Sequence, residues 1–516
     1  MPAPAALLHH LLDQAAAHWP ERPAVTSGRH TLTYRRLDTA SRRLAAWLHA
    51  GGLRRGDRLV VCAPPSHAQP ALVYAASRAG MAFCLLHEQV RGSRLEHVLD
   101  DSEPALLVTD DPEAAAAAQH RGIPTATTRD ITTLIDTTTP DTAPAVTPDS
   151  RPPHPQPPPP LTVDPVCLIY TSGTTSLPKA VLTTHQQLAF CVDAIHTVLD
   201  YRPHDVVYSP LPLSFDYGLY QLFLATRAGA HTILGRPAET GPALLGSLVR
   251  TGATVLAAVP SVADTLARLL RRRTPAHPPP LRLLTNTGAA MPPATLHTLR
   301  SALPALRVQL MFGLTECKRA TVMPPDGDLQ RPGSSGRALP GTEVFVVDGQ
   351  GRRRPPGEIG EIVVRGPNVM AGYWRRPDLT AQRFVREEGL LPQLHTGDYG
   401  WVDDEGFLYV DGRRDDIYKE NGFRVSTTEV EAAARQVAGV DAAAVLPPAA
   451  GAPATLFTVG AAPPAEVLHG MREHIEEFKI PRRCRVLDAL PLTGNGKVDR
   501  TALAAGTQEA TGARTP

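Results

Sequence analysis

The chain has 516 residues, more than one hydrophobic core usually serves, so at least two domains are expected. Its 42% hydrophobic and 20% charged residues are those of an ordinary globular protein, and 52 basic against 51 acidic side chains leave a formal charge of +1. That balance gives no electrostatic ground for a nucleic-acid or membrane-surface partner. The six scattered cysteines, with no C-x-x-C pair, argue against a disulfide framework or zinc site and for a reducing compartment.

The first segment, MPAPAALLHHLLDQAAAHWPERP, lacks a basic leading region and carries Asp13 inside its apolar stretch, which predicts an amphipathic helix and no signal peptide. No window approaches the ~18 uninterrupted apolar residues of a membrane helix, so a cytoplasmic, soluble protein is expected. Helix-sized patterns such as DTASRRLAAWLHAGG then alternate with short apolar runs such as DRLVVCAPP, ALLVTD and TVLAAVP. This alternation predicts an α/β fold, with a large N-terminal domain of helix-covered, mainly parallel sheets. Residues 137–165 are a proline-rich stretch, expected to form an extended surface linker.

Next comes VCLIYTSGTTSLPKAVLTTH, a buried-strand run followed by a loop and, from Leu188, a helix. A loop at a strand end is where ligands bind in such sheets. Thr171, Ser172, Thr174, Thr175 and Ser176 supply hydroxyls, Gly173 lets amides approach, and Lys179 adds a cation. These groups suit a polyphosphate, although the spacing is not that of a Walker A loop.

Further on, Asp216, Tyr217 and Tyr220 lie in LPLSFDYGLYQLF, where Asp216 is placed to cap the helix that follows. LLTNTGAAMP presents a strand and a Gly288-Ala289-Ala290 turn. MFGLTEC brings Met311, an aromatic ring at Phe312, a hydroxyl at Thr315 and a carboxylate at Glu316 into one short run. Phe312 can stack on a base, and Glu316 can hold Mg²⁺, a hard cation that bridges phosphates. Lys318 and Arg319 follow and by themselves read as a solvated pair. LHTGDYG and the later GRRDD carry Asp398, Arg413 and Asp415. After Tyr409 a charged block, strand-like AAAVLPP and LFTVG, and one helix at AEVLHGMREHIEEF predict a small mobile α+β domain over 412–505, with a frayed tail at 506–516. The core is then 1–411. Near the end, G-N-G-K places Lys497 on a flexible turn.

Taken in order, these segments resemble the class I adenylate-forming superfamily of acyl-CoA synthetases, nonribosomal adenylation domains and luciferases, from about Leu32 to Arg500. Ser176 and Ala180 stand where the family usually has glycine, and Phe312 where it mostly has tyrosine. The resemblance implies ATP and Mg²⁺ as cofactors and an AMP-forming ligase that makes an acyl-adenylate, then passes the acyl group to a pantetheine thiol of CoA or of a carrier protein supplied in trans. It implies that Thr171–Thr175 and Lys179 hold phosphates, Gly288, Ala289 and Ala290 lie along adenine, and Thr315 bonds the α-phosphate. Asp398 and Arg413 hold the ribose, and Lys497 bridges carboxylate and α-phosphate. Asp216, Tyr217, Tyr220, Met311, Lys318, Arg319 and Ala320 border the acid, where a cation could pair with a second polar or anionic substrate group; Asp415 is the hinge, Gly422 with Arg424 faces the thiol step, and Lys419 is an accessory or a solvated cation. Asp216 occupies the position that binds the substrate ammonium in amino-acid-activating members, so an amino acid adenylating enzyme or an amide ligase stays open. A non-catalytic binding protein of the same fold is the remaining alternative.

Overall fold

The computed structural model describes residues 5–136, 158–171, 178–272, 277–413, 417–420, 423–448, 453–475, 477–493 and 497–505. Packing divides the chain into two compact units, one of 1–332, 336–344 and 364–394, the other of 333–335, 345–363 and 395–516.

The first unit contains two sheets with helices between them. In one, Arg58–Cys62, Ala82–Leu86, Leu106–Thr109 and Thr125–Ala126 run parallel; Pro165–Thr171 joins them in parallel through Ala82–Leu86, and Lys179–Thr184 then returns antiparallel. In the other, Pro23–Ser27, His231–Leu234, Val206–Ser209, Val255–Ala258, Leu283–Asn286 and Arg307–Phe312 run parallel to one another in that order, with antiparallel strands at both ends. The strands are short apolar runs because both faces are covered. The helices Tyr34–Ala50, Ala68–Arg78, His185–Leu199 and Asp216–Ala228 share one apolar core with both sheets.

The N-terminal segment forms the expected amphipathic helix, Leu8–His18, with Leu8, Leu11, Leu12 and Ala15 buried. Asp13 leaves that apolar face and pairs with Arg42 and Arg78.

Three expectations change. The phosphate-loop segment does not pass from loop to helix: KAVLTT is a strand, paired Thr171↔Lys179 through Pro165↔Thr184, and the helix begins at His185. β-Branched Val and Thr in a run that pairs along a largely buried sheet explain it. Of the proline-rich stretch, 137–157 lies outside the described residues. Its end is fastened, because Asp164 accepts from Leu161 N at 2.7 Å and from Arg55 Nε and Nη2 at 2.7 Å each, and Pro165 already opens a strand.

In the second unit, Gln393–Val402 and Phe407–Arg413 pair antiparallel, as do Ile417–Glu420 and Phe423–Ser426. The helix Thr427–Gln436 then packs with a sheet of Val440–Leu446, Thr455–Gly460 and Arg483–Val486 around Val425, Val430, Val445, Leu456 and Met471. Here the third expectation changes: the single helix expected at AEVLHGMREHIEEF is a short α-helix, Pro464–Gly470, followed by a 3-10 turn, Met471–Glu473. Gly470 weakens helix continuation, and a Cβ at that position would come within 2.9 Å of Val437. No described helix is long and apolar enough to cross a membrane.

Candidate active site

The carboxyl ends of parallel strands are where this architecture places ligands, and several of the candidate residues lie there. Phe312 ends the strand Arg307–Phe312, beside the strand Leu283–Asn286 whose exit is the turn at Gly288. Gly288 has φ +92°, a conformation that favours glycine, while Ala289 and Ala290 are exposed. Thr171 ends its own strand and donates its hydroxyl to Lys179 O at 3.3 Å, so the two residues form the base of the hydroxyl-rich loop. Ser172, Gly173, Thr174, Thr175 and Ser176 themselves lie outside the described residues. Ala180 is fully buried with Leu168 and Cys84, so its methyl is core packing.

The segment 312–320 folds back on itself, and Ala320 N donates to Phe312 O at 2.9 Å. This closure requires glycine at 313, because a Cβ there would lie 2.2 Å from Lys318 O and 2.9 Å from Arg319 Cα. Thr315 and Glu316 are half-buried on this loop. One Glu316 oxygen accepts from the Tyr373 hydroxyl at 2.7 Å, and the Lys179 ammonium lies 3.9 Å from the centroid of the same ring. Lys179, Tyr373 and Glu316 therefore form a connected group from three separate segments. Its carboxylate, hydroxyls and ammonium suit phosphate and a hard cation; Glu316 and Thr315 offer oxygen ligands, the type that Mg²⁺ prefers.

Asn368 and Tyr373 were not among the residues singled out from the sequence. Asn368 is fully buried and donates to Arg319 O at 3.0 Å, bracing the loop from behind. Met370 N donates to Glu316 O at 2.9 Å. An amide and a phenol inside the otherwise apolar NVMAGY run are the signal they leave in the sequence.

The acid-pocket candidates cluster around the helix Asp216–Ala228. Asp216 is 5% exposed, and among the described residues its carboxylate has no hydrogen bond or ion pair. The helix has no side-chain cap, so capping does not account for the aspartate. Gly218 lets this turn approach the preceding segment, since a Cβ there would meet Pro212 O at 2.4 Å. Tyr217 is fully buried and donates to Thr285 O at 2.6 Å, tying the helix to the strand beside Gly288. Tyr220 and Met311 are buried too. Lys318 and Arg319 are not a solvated pair: they are 1% and 3% exposed.

In the second unit, Asp398 stands directly opposite Arg413 across the antiparallel pair and is 7% exposed. The T-G-D turn is held by Glu361, which accepts from Gly397 N at 3.0 Å and lies 3.1 Å from His395 Nδ1. Lys497 is exposed on a short hairpin in which Thr493 N donates to Lys497 O at 2.7 Å. Arg500 anchors that hairpin to Thr427 and Glu431 at 3.2 and 2.9 Å. Asp415 and Gly422 lie outside the described residues. Lys419 and Arg424 lie on the paired strands Ile417–Glu420 and Phe423–Ser426, opposite each other.

Residues 12–374 match the model of the AMP-binding enzyme family, and residues 429–497 match that of the AMP-binding enzyme C-terminal domain. The chain belongs to the AMP-binding enzyme family. Among curated relatives of this AMP-binding enzyme, the L-proline–[L-prolyl-carrier protein] ligase of Streptomyces coelicolor is 32% identical over 507 residues, covering 94% of each chain. Among solved structures, the complex of VinN with L-aspartate is 37% identical, with TM-score 0.68, covering 79% of this chain and 98% of that one. The O-succinylbenzoate coenzyme A synthetase of Bacillus subtilis, solved with ATP and a magnesium ion, is 28% identical with TM-score 0.80 over 96% of this chain and 99% of that one. The AMP-binding enzyme described here is thus an AMP-forming ligase: it uses ATP to convert a carboxylic acid to an acyl-adenylate and transfers the acyl group to a thiol.

Proposed function

We propose that this ligase activates an amino acid, holding its ammonium on Asp216, and loads it onto the pantetheine thiol of a carrier protein. The observation that carries the proposal is the buried Asp216 carboxylate, which no described side chain neutralises. Desolvating a carboxylate without a partner is costly, and a substrate ammonium supplies the missing charge. The carrier-protein ligase relative activates L-proline and the VinN structure holds L-aspartate, both amino acids.

In the reaction, the substrate carboxylate attacks the α-phosphorus of ATP, the bond to pyrophosphate breaks, and an acyl-adenylate forms. Negative charge grows on the phosphates, and fixed positive groups there lower the barrier. Lys179, the loop hydroxyls of Thr171–Thr175, Thr315 and Lys497 take this role. Glu316 would hold Mg²⁺, which would supply charge neutralisation between phosphate oxygens. Phe312 and the Gly288–Ala290 turn receive adenine, and two acceptor oxygens on Asp398 suit the two adjacent ribose hydroxyls, with Arg413 beside it. In the second half-reaction the thiol sulfur attacks the acyl carbon and AMP leaves. The domain over 412–505 turns at Asp415 between the two steps, and Gly422 and Arg424 then face the incoming pantetheine.

ATP–pyrophosphate exchange across a panel of amino and plain carboxylic acids tests the proposal. Lys497→Ala and Asp398→Ala each lower exchange by about 100-fold or more. Asp216→Ala abolishes exchange with the amino acid; if exchange survives, the ammonium role is wrong. Acyl transfer is then measured with a phosphopantetheinylated carrier, CoA and an amine in parallel, and preference for the amine would make the enzyme an amide ligase.

A further inference from the structure

Two consecutive cations inside a protein need a reason. Lys318 and Arg319 sit on the 312–320 loop with almost no exposure, and neither forms an ion pair with a described residue. Among the described residues Lys318 Nζ and Arg319 Nε have no hydrogen-bond partner, although Arg319 donates through another nitrogen to Lys318 O at 2.7 Å. The side chains packed against them are mostly aromatic or neutral. Lys318 Nζ lies 5.8 Å from the centroid of the Tyr220 ring, and the Arg319 guanidinium 4.7 Å from that of Tyr217. The nearby thiols of Cys167 and Cys191 are each pushed by burial up to about 12, so they carry no compensating charge at neutral pH. The Tyr220 phenol is raised by burial as well. Two carboxylates lie within electrostatic reach, Asp216 beside Cys167 and Tyr220 and Glu316 beside Cys317, and among the described residues neither forms an ion pair with Lys318 or Arg319.

The arrangement is also held against its own preferences. Lys318 has φ +61°, a left-handed conformation uncommon for a long side chain, and persists there because Gly313 permits the loop closure and Asn368 braces it. Stability alone would favour apolar residues at both positions. A binding site for an anion accounts for them.

We infer that Lys318 and Arg319 bind a second carboxylate of the substrate, so that the acid activated is an amino dicarboxylate. This rests on the Asp216 reading: the ammonium lies on Asp216, one carboxylate goes to the α-phosphorus, and the other is held by the buried cation pair. Tyr217 and Tyr220 supply the intervening wall, with their rings facing the cations. Lys179 and Lys497 are left to the phosphates.

The test uses the purified full chain and ATP–pyrophosphate exchange with L-aspartate, L-glutamate and 3-aminoglutarate. Controls are L-asparagine and L-glutamine, which keep shape and lose charge, succinate and glutarate, which lack the amine, and the monocarboxylic L-alanine and L-proline. One amino dicarboxylate exchanges about 100-fold or more faster than its uncharged counterparts at equal concentration, the loss that leaving a buried cation unpaired entails. Lys318→Met lowers kcat/KM for that acid by a similar factor, chiefly through KM, leaves the KM for ATP in place, and does not lower the thermal midpoint. Arg319→Gln acts in the same direction.

The inference is overturned if the amides or monocarboxylic amino acids exchange as well as the dicarboxylates, if Lys318→Met preserves the preference, or if that variant raises the KM for ATP instead. No exchange with any dicarboxylate overturns it as well. If succinate or glutarate exchanges as well as its amino counterpart, the ammonium role of Asp216 fails while the cation pair's assignment stands. If L-alanine or L-proline exchanges best, the reverse holds.

Discussion

Tyr373 shows how much one side chain can carry at this site. Its hydroxyl donates to Glu316 and its ring face meets Lys179, so one residue fixes the orientation of an anion and a cation at the proposed phosphate site. Tyr373→Phe keeps the ring and the cation–π contact and removes only the hydroxyl. The expected outcome is a loss of stability of about 1 kcal/mol and a higher Mg²⁺ concentration for half-maximal pyrophosphate exchange, read by titrating Mg²⁺ at saturating ATP. An unchanged Mg²⁺ dependence would separate Tyr373 from the metal-binding role given to Glu316. Phe312, Thr315 and Glu316 were legible in the sequence because they are contiguous and each has a distinct chemistry. Tyr373 was not, since its partners are 57 and 194 positions away and only the folded chain joins them.

Among elements, the helix His185–Leu199 is where burial and titration meet. The His185 imidazole is fully buried and accepts from Leu8 N at 3.1 Å, which docks the N-terminal helix. Burial lowers its pKa from 6.5 to about 4, and that of His9, on the docked helix, to about 3. The unfolded chain therefore binds protons near pH 6.5 that the folded chain refuses until about pH 4 or below. Stability is full above pH 6.5 and falls as pH drops through this window, by about 1.4 kcal/mol per pH unit for each such imidazole at most. Urea midpoints between pH 7 and 4 measure it, and His185→Gln flattens the slope. At this scale the sequence was read correctly for the amphipathic N-terminal helix and for strands such as Arg58–Cys62 and Val255–Ala258, whose local pattern agrees with their burial. It was read incompletely at Lys179–Thr184, because a short run of mixed Thr and Val becomes a strand only when a neighbouring strand offers its hydrogen bonds.

At the scale of the whole molecule, the two half-reactions make separable demands on the proposed roles. Supplied with ready-made aminoacyl-adenylate, Lys497→Ala transfers the acyl group to the carrier at near the wild-type rate, because its work lies in forming the adenylate. Gly422→Leu keeps pyrophosphate exchange and loses transfer, because a side chain there obstructs the pantetheine. Rapid-quench measurement of both steps checks the pair, and equal losses in both steps for either variant would contradict the division of labour. By itself the sequence determined the α/β class, the family and the chemistry, because those reside in short contiguous motifs whose residue types the reaction requires. Only the tertiary structure decided that Lys318 and Arg319 are buried cations and that Asp216 is a buried carboxylate with no partner among the described residues. The physical reason is that desolvation depends on what packs around a group, and here Cys167, Cys191, Tyr217 and Tyr220 come from segments far apart in the chain.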